Sequence, residues 1–253
     1  MDYNGLLNLG TELGRQLMAS GAEISRVEDS ILRLMQAYGV PDAQVFAIPN
    51  CLIVCLTPPQ AQPITRISRI PAHGIDLDRL ELCNALCRQL CRDVPDLDKA
   101  QRQVSYIADH RPRYREWAVI LGHFLAGAFF TPFFGGGFWD SLCGGLCGVV
   151  IALSNRLLRH IAGPGAFFRT LLSAAVSSLL AQLFARYGIA HNADAITIGA
   201  LMLLVPGVAL TTAMREVMAG DMVSGVTRMA EAVLTATAIA LGTGAALALG
   251  QLL

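Results

Sequence analysis

Pro206 and Gly207 interrupt an apolar run that extends over residues 195–213. Proline removes a backbone hydrogen bond and clashes with the preceding turn, so the run forms either a kinked helix or a broken one. In a broken helix the second half begins at Pro206, where free N–H groups and the positive dipole end attract an anionic group. Thr211 and Thr212 follow one turn later and add hydroxyl groups. The residues alone leave both alternatives open.

Polar residues after this run are spaced so that they share one narrow side of a helix. Glu231 lies deepest, and a carboxylate inside a membrane is costly, which makes it a candidate for binding and releasing protons. Arg228 lies one turn before Glu231 and can form an interfacial ion pair with it, which would simply anchor the helix end. The polar set is Asp221, Ser224, Gly225, Arg228, Glu231 and Thr235.

Asp140 follows a glycine-rich turn and Trp139, a residue type that often lies at a membrane interface. An aspartate at a helix start usually caps the helix, so capping is the favoured role of Asp140 and a gate residue is the alternative. His123 is the one histidine within an apolar run, and it is a minor candidate for a proton relay.

Several signatures are absent from the sequence. It contains no Gly-x-x-x-x-Gly-Lys-Ser/Thr loop, no His-Glu-x-x-His and no Gly-x-Ser-x-Gly. We therefore predict that the chain is not an enzyme and needs no cofactor or metal. Charges balance at net zero and form no basic run, which argues against nucleic acid as a partner.

The charged residues divide the chain into two parts. Residues 1–116 hold 13 of the 19 Lys and Arg residues and 14 of the 19 Asp and Glu residues. This asymmetry predicts a small cytoplasmic α+β domain at 1–112 and a transmembrane domain at 113–253. The first 15 residues do not resemble a signal peptide, so we expect the first domain to remain in the cytoplasm.

The predicted cytoplasmic domain combines helical and strand patterns. Helical spacing covers 4–38, as one long helix or two in succession, and β-rich runs suggest a small antiparallel sheet. Cys83, Cys87 and Cys91 recur on one helix face with apolar neighbours, which favours core packing over a metal or redox role. The predicted strands are 44–48, 51–56 and 64–70, and the later helices are 76–92 and 96–110.

Five apolar segments in the second part each approach the roughly 20 residues that a spanning helix needs. Eight arginines flank one side of these segments and Arg186 alone lies on the other, which places the N-terminus in the cytoplasm and the C-terminus outside. The eight are Arg111, Arg113, Arg115, Arg156, Arg159, Arg169, Arg215 and Arg228. The predicted spans are 117–134, 138–158, 166–186, 195–213 and 226–250.

Four segments of the chain resemble the bacterial threonine/serine exporter family, in its short-chain, two-component branch. The most specific is Leu204-Val-Pro-Gly207 with Gly220 and Gly225 downstream. The others are Gly21-Ala-Glu-Ile-Ser-Arg-Val-Glu28, His73-Gly-Ile-Asp76 and Gly136-Gly-Phe-Trp-Asp140.

This resemblance implies export of small hydrophilic metabolites across the bacterial cytoplasmic (inner) membrane, coupled to the proton motive force. The family's substrates are threonine and serine, and some short relatives are associated with dicarboxylates such as succinate. The resemblance also brings in Glu216, which lies where relatives tend to have an acid. Glu23, Arg26 and Glu28 would gate the inner mouth or dock a partner, although each can also be an ordinary exposed charge.

A chain with five spans would be half of an inverted repeat, and its polar side would face lipid if it were alone. We therefore expect a second small membrane subunit of the same family, or homo-oligomerisation. The alternative is a non-transporting membrane scaffold or sensor whose cytoplasmic domain regulates a partner.

Overall fold

The computed structural model of the chain describes residues 1–59, 62–71, 74–108, 114–161 and 165–252, with side chains omitted at 159–161 and 251–252. Some sequence predictions lie outside these residues. They concern His73, Arg111, Arg113, the domain boundary at 112/113, and the side chains of Arg159 and His160.

The described residues form ten helices and one three-stranded sheet. They divide into two compact units: unit 1 comprises Met1–Arg113 and Thr211–Arg228, and unit 2 comprises Tyr114–Leu210 and Met229–Leu253. The elements in chain order are α1 (Tyr3–Ala19), α2 (Ile24–Ala37), β1 (Ala43–Ile48), β2 (Cys51–Leu56), β3 (Ile64–Arg69), α3 (Leu77–Asp93), α4 (Leu97–Ala108), α5 (Glu116–Phe133), α6 (Phe138–Ile161), α7 (Ala166–Arg186), α8 (Ala193–Leu201), α9 (Gly207–Met218) and α10 (Met222–Leu252).

Unit 1 has the mixed helix and sheet content that the sequence predicts. The sheet is antiparallel in the order β1-β2-β3, and alternate residues of β2 (Leu52, Val54 and Leu56) are fully buried. Helix α1 buries a leucine row that includes Leu6, Leu9, Leu13 and Leu17 in the same core. The apolar residues that alternate along β2 and those that recur at helical spacing along α1 therefore pack into one core.

The apolar pattern over 4–38 is divided between α1 and α2, which are separate helices. Gly21 lies in the turn between them with φ of +90°, a conformation that side chains with a Cβ rarely adopt. A Cβ on Gly21 would also lie 2.7 Å from the carbonyl oxygen of Gly74. A glycine is therefore needed at this turn for both its backbone angle and its close packing.

The cysteine row on α3 belongs to the core of unit 1. Cys83 and Cys87 are buried, and burial raises their pKa values to about 11 and about 12. Both thiols therefore stay protonated at neutral pH, and a protonated thiol is a poor nucleophile and metal ligand. This is the packing role that the sequence favours for them.

The long apolar helices lie in unit 2, except that the first residues of α10 belong to unit 1. Four helices among the described residues are long and apolar enough to cross a membrane: Glu116–Phe133, Phe138–Leu158, Ala166–Arg186 and Met222–Gly250. They correspond to four of the five predicted spans. The expected count of five continuous spans is not supported, because residues 195–213 fall into α8, with nine residues, and part of α9. Neither helix alone reaches the length that a bilayer requires.

Glycines allow the helices of unit 2 to approach closely around Thr131 on α5. Thr131 is fully buried and its hydroxyl donates to the carbonyl oxygen of Gly127 at 2.8 Å. A Cβ on Gly144 of α6 would lie 2.1 Å from Thr131 Oγ1, and one on Gly199 of α8 would lie 2.6 Å from it. Small residues at such crossings are typical of helix packing in membranes.

We expect Gly144→Leu to destabilise unit 2 by at least about 1–3 kcal/mol, because the added side chain must displace Thr131 and the backbone of α5. The melting temperature of the purified protein in detergent measures this loss. Gly122→Leu is the matched control, since a Cβ at Gly122 meets nothing within 4 Å. Equal melting temperatures for the two variants would contradict the proposed crossing.

Candidate functional site

Of the two alternatives at Pro206, the structure has the broken helix. Helix α8 ends at Leu201, and α9 begins at Gly207. The carbonyl oxygen of Pro206 accepts from Leu210 N at 3.0 Å, which starts the hydrogen-bond ladder of α9. The polypeptide is therefore a broken helix at this point, as opposed to a kinked one. A Cβ on Gly207 would meet nothing within 4 Å, so the start of α9 is open.

The residues that follow the break are distributed along α9 and its turn to α10. Thr211 is exposed and Thr212 is half-buried on α9. Asp221 is half-buried in the turn, and its carbonyl oxygen accepts from Gly225 N at 2.9 Å. Ser224 is buried on α10. From Thr211 onward these residues belong to unit 1.

Within unit 1, the most deeply buried acid among the described residues is Glu216 on α9, which is 1% exposed. Its Oε1 accepts from the backbone N–H of Ile24 at 3.3 Å and lies 3.0 Å from Nε of Arg228 on α10. Nη2 of Arg228 in turn donates to the carbonyl oxygen of Ala22 at 2.8 Å. Glu216 therefore binds a backbone N–H group at the start of α2, and Arg228 binds a backbone carbonyl group in the turn between α1 and α2.

The carboxylate of Glu216 also completes the start of α2. The N-cap residue Glu23 makes no side-chain capping bond to its own helix, and Ile24 N is one of the N–H groups that a helix leaves unpaired at its start. An acid at this end is favoured by the helix dipole. A residue nearly 200 positions away in sequence thus performs the cap.

Glu23 supports the same cluster from its other side. Its side chain is 16% exposed and forms ion pairs with Arg215 of α9 and, at 3.5 Å, with Arg26. Arg26 itself is 70% exposed. We call Glu23, Glu216, Arg215 and Arg228, with the backbone of residues 22–24, the glutamate cluster.

The environment of Glu216 raises its pKa above the ordinary value. Burial raises the pKa of Glu216, while the charge of Arg228 and the Ile24 N–H oppose that rise, and Asp221 and Glu23 add to it. Its Oε2 has no hydrogen-bond partner among the described residues. Among the described residues, Glu216 therefore combines a raised pKa, an oxygen atom without a hydrogen-bond partner and an ion pair with Arg228.

Glu28 connects α2 to the sheet. It accepts from Ala47 N of β1 at 2.8 Å. Burial raises the pKa of Glu28, the Ala47 N–H lowers it, and the negative charge of Asp221 raises it again.

In unit 2, Asp140 is 2% exposed and joins two turns. Its Oδ2 accepts from Gly137 N at 2.8 Å, at the start of α6. Its Oδ1 accepts from His191 N at 2.7 Å and Asn192 N at 3.2 Å, in the loop before α8. Asn192 then caps α8 by accepting from Ala195 N. Asp140 is thus placed to cap α6 and to position the start of α8.

Two other predicted residues, Glu231 and His123, are not members of the glutamate cluster. Glu231 is exposed on α10 in unit 2, and Nδ1 of His123 donates to the carbonyl oxygen of Val119 at 2.8 Å. Arg228 pairs with Glu216, whereas spacing on one helix suggested Glu231 as its partner. Helical periodicity cannot reveal Glu216 as a partner, because α9 and α10 meet only after the chain turns at Gly220.

Comparison with known proteins identifies the family. A family model described as "Putative threonine/serine exporter" matches residues 8–250. A "Probable threonine/serine exporter" of Mycobacterium tuberculosis is 22% identical over 239 residues, which cover 94% of this chain and 45% of that protein.

Yeast proteins match as well. An uncharacterized protein of Schizosaccharomyces pombe is 26% identical over 235 residues, covering 89% of this chain and 28% of its own length. "Pheromone-regulated membrane protein 10" of Eremothecium gossypii is 23% identical over 250 residues, covering 93% and 32%. The chain spans less than half the length of each of these relatives, and no solved structure matches it. The family predicted from the sequence is therefore confirmed, and the chain belongs to the threonine/serine exporter family.

Proposed function

We propose that this chain is one subunit of a secondary exporter that moves small hydrophilic metabolites out of the cell. The substrates are threonine and serine, or a dicarboxylate such as succinate. Support comes from the family match, from four apolar helices and from the broken helix at Pro206. Discontinuous helices are a recurrent way to place helix ends near substrates in transporters.

The observation that carries the proton-coupled part of this proposal is the burial of Glu216 against Arg228. Protonation of Glu216 would neutralise the carboxylate, weaken its attraction to Arg228 and reduce its capping of α2. Deprotonation would restore the negative charge and both interactions. A proton can thus favour one of two arrangements of the chain around residues 22–24, and a proton gradient can drive a cycle between them. Glu231 is the second candidate for the proton-binding group.

Glu231 and Thr235 on α10 support the proposal of a partner subunit. Glu231 is exposed on a helix that is apolar enough to span a membrane, and Thr235 one turn later is half-buried. A carboxylate that faces lipid is strongly unfavourable. We propose that a second small membrane subunit of the family, or another copy of the chain, covers this side of α10.

The proposed topology counts residues 195–213, from α8 into the first half of α9, as one interrupted crossing, which gives five crossings and leaves Glu216 outside the membrane-spanning segments. With the arginine asymmetry, this count supports the proposal that the N-terminus is in the cytoplasm and the C-terminus outside, in the bacterial cytoplasmic membrane. A cytoplasmic N-terminus would expose unit 1 to the internal metabolite pool.

Counterflow in proteoliposomes tests the proposal. The chain is reconstituted alone and with the small membrane subunit, and labelled threonine, serine and succinate are measured with and without a pH gradient. We expect saturable, gradient-sensitive flux with the partner and a loss of at least about tenfold in Glu216→Gln, since a fixed neutral side chain cannot cycle a proton. Glu116→Gln, which removes an exposed ion pair with Arg156, is the matched control and should retain flux.

Two outcomes would contradict specific parts of the proposal. Full flux by the chain alone, as a monomer, would contradict the subunit assignment. No flux with any partner would contradict export and favour the scaffold or sensor alternative.

A further inference from the structure

Helices α3 and α4 of unit 1 form a groove of about 600 Å³ that shares no residue with the glutamate cluster. The turn that joins them comprises residues 94–96, and so short a connection makes the two helices antiparallel neighbours. The groove is lined by both helices, and its volume lies within the range of small-molecule sites.

The end of the groove away from the turn is apolar. Leu86 and Ile107 form its floor and are 7% and 6% exposed, and Leu82 of α3 is half-buried in the same lining. Tyr106 of α4 adds an aromatic ring that is 75% exposed. A ligand with an apolar body would remove this surface from water, which is favourable.

The end of the groove near the turn is cationic. Lys99 lies in the first turn of α4, Arg102 follows one turn later, and both side chains are exposed. Neither forms an ion pair among the residues that the structure describes. None of the described residues that line the groove is acidic, and Asp98, which precedes Lys99, is not part of the lining. An anionic group at this end therefore meets two cations and no competing acid of the lining.

Gln103 provides a polar group between the two ends. Its Oε1 is buried and has no hydrogen-bond partner among the described residues, although buried amides are normally paired. The terminal torsion of a glutamine side chain is broad, so an amide without a fixed partner can turn. It can then donate an N–H group to an anion in the groove.

The lining selects an anion with a flat apolar body. Arg102 and Tyr106 are four residues apart on α4 and therefore project on the same side of the helix. A guanidinium binds a carboxylate through parallel N–H donors and also stacks on aromatic rings, and a tyrosine ring packs against a second ring. From Lys99 to Ile107 the helix rises about 12 Å, which accommodates a ring and a carboxylate joined by a short chain. A small polar molecule without a ring would leave the apolar end uncovered.

We propose that this groove binds a small aromatic monocarboxylate. Its carboxylate lies at Lys99 and Arg102, and its ring lies against Leu82 and Tyr106. Such a ligand connects α3 with α4 and stabilises unit 1, because it binds only the folded form. The site is independent of the proposed export and does not require that the chain transports this molecule.

Isothermal titration of the full chain in detergent tests the groove with 3-phenylpropionate as the probe. Three related compounds each change one property: 3-phenylpropionamide is neutral, 3-phenylpropylamine is cationic, and succinate has no ring. We expect binding of 3-phenylpropionate and at least about tenfold weaker binding of the other three, since each loses a charge-assisted contact or the burial of the ring. Injections into detergent buffer alone correct for uptake by micelles.

Variants of two exposed residues locate the binding. Arg102→Gln should weaken binding of 3-phenylpropionate by about tenfold, because it removes a charge-assisted contact to the carboxylate. Tyr106→Ala should weaken it by about three- to tenfold through loss of the ring contact. Arg88→Gln is the matched control, since Arg88 is an exposed arginine of α3 that does not line the groove, and it should bind like the parent. Circular dichroism checks that each variant is folded.

Several results would overturn the proposal. They are an absence of binding by 3-phenylpropionate, equal binding of its amide or of succinate, and unchanged binding in folded Arg102→Gln or Tyr106→Ala. An equal loss in Arg88→Gln would also overturn it, because the effect of Arg102 would then reflect only the net charge of the surface.

Discussion

Arg228→Met is expected to destabilise unit 1 by about 3–5 kcal/mol, because it leaves the buried carboxylate of Glu216 without its cation. Glu216→Gln should cost less, since the amide oxygen can still accept from Ile24 N. The double variant should be more stable than the sum of the two losses predicts, because the unpaired charge is then absent. Thermal melting of the parent, the two single variants and the double variant, in detergent at neutral pH, gives the double-mutant cycle. Additive losses would show that the two side chains do not interact.

The pH dependence of stability provides an independent test of the same pair. The pKa of Glu216 is raised above its ordinary value of 4.5, so the folded protein holds this proton more tightly than the unfolded chain does. The contribution of this group to stability is therefore complete below pH 4.5 and decreases as the pH rises through the folded pKa. Glu216→Gln should remove that decrease, and Arg228→Met should enlarge it. An unchanged pH profile in both variants would contradict the raised pKa.

Asp140→Ala is expected to destabilise unit 2 by about 3 kcal/mol or more, because three backbone N–H groups lose their acceptor at once. Asp140→Asn should cost less than alanine, since one acceptor oxygen remains. Cys143 lies one turn further along α6 and is 3% exposed, so its reaction rate with a maleimide reports local opening. We expect labelling to accelerate in the alanine variant.

Asp194→Ala is the matched control for Asp140. Asp194 lies in the first turn of α8 but is exposed, so its removal should change neither the melting temperature nor the labelling of Cys143 appreciably. Slow labelling of Cys143 in Asp140→Ala, equal to that of the parent, would show that Asp140 does not hold the two turns together.

Local patterns in the sequence predict most of the elements. The strands at 44–48, 51–56 and 64–70 correspond closely to β1, β2 and β3, because alternation and the intervening Pro and Asn residues define them locally. The segment 166–186 matches α7 to the residue. The break between α1 and α2 is harder to locate, since apolar residues continue at helical spacing on both sides of Gly21.

The arrangement of the glutamate cluster could not be predicted from local patterns. Ile24 and Glu216 are 192 positions apart, and their contact depends on the packing of α9 against α2. Family resemblance drew attention to Glu216 and to the segment around Glu23, but separately. What joins them is a capping requirement of α2 that its own N-cap residue does not meet.

Unit 1 is discontinuous in sequence, and this has consequences for its biogenesis and for its isolation. A fragment that ends near residue 112 lacks Thr211–Arg228, so the N–H of Ile24 and the carbonyl of Ala22 lose their partners. During synthesis, these two backbone groups cannot pair with Glu216 and Arg228 until about residue 228 has left the ribosome. By then most of the apolar helices have been made. The N-terminal part of the chain therefore completes its fold late in translation. A fragment designed to contain the whole of unit 1 must include the segment 211–228 as well as the N-terminal residues.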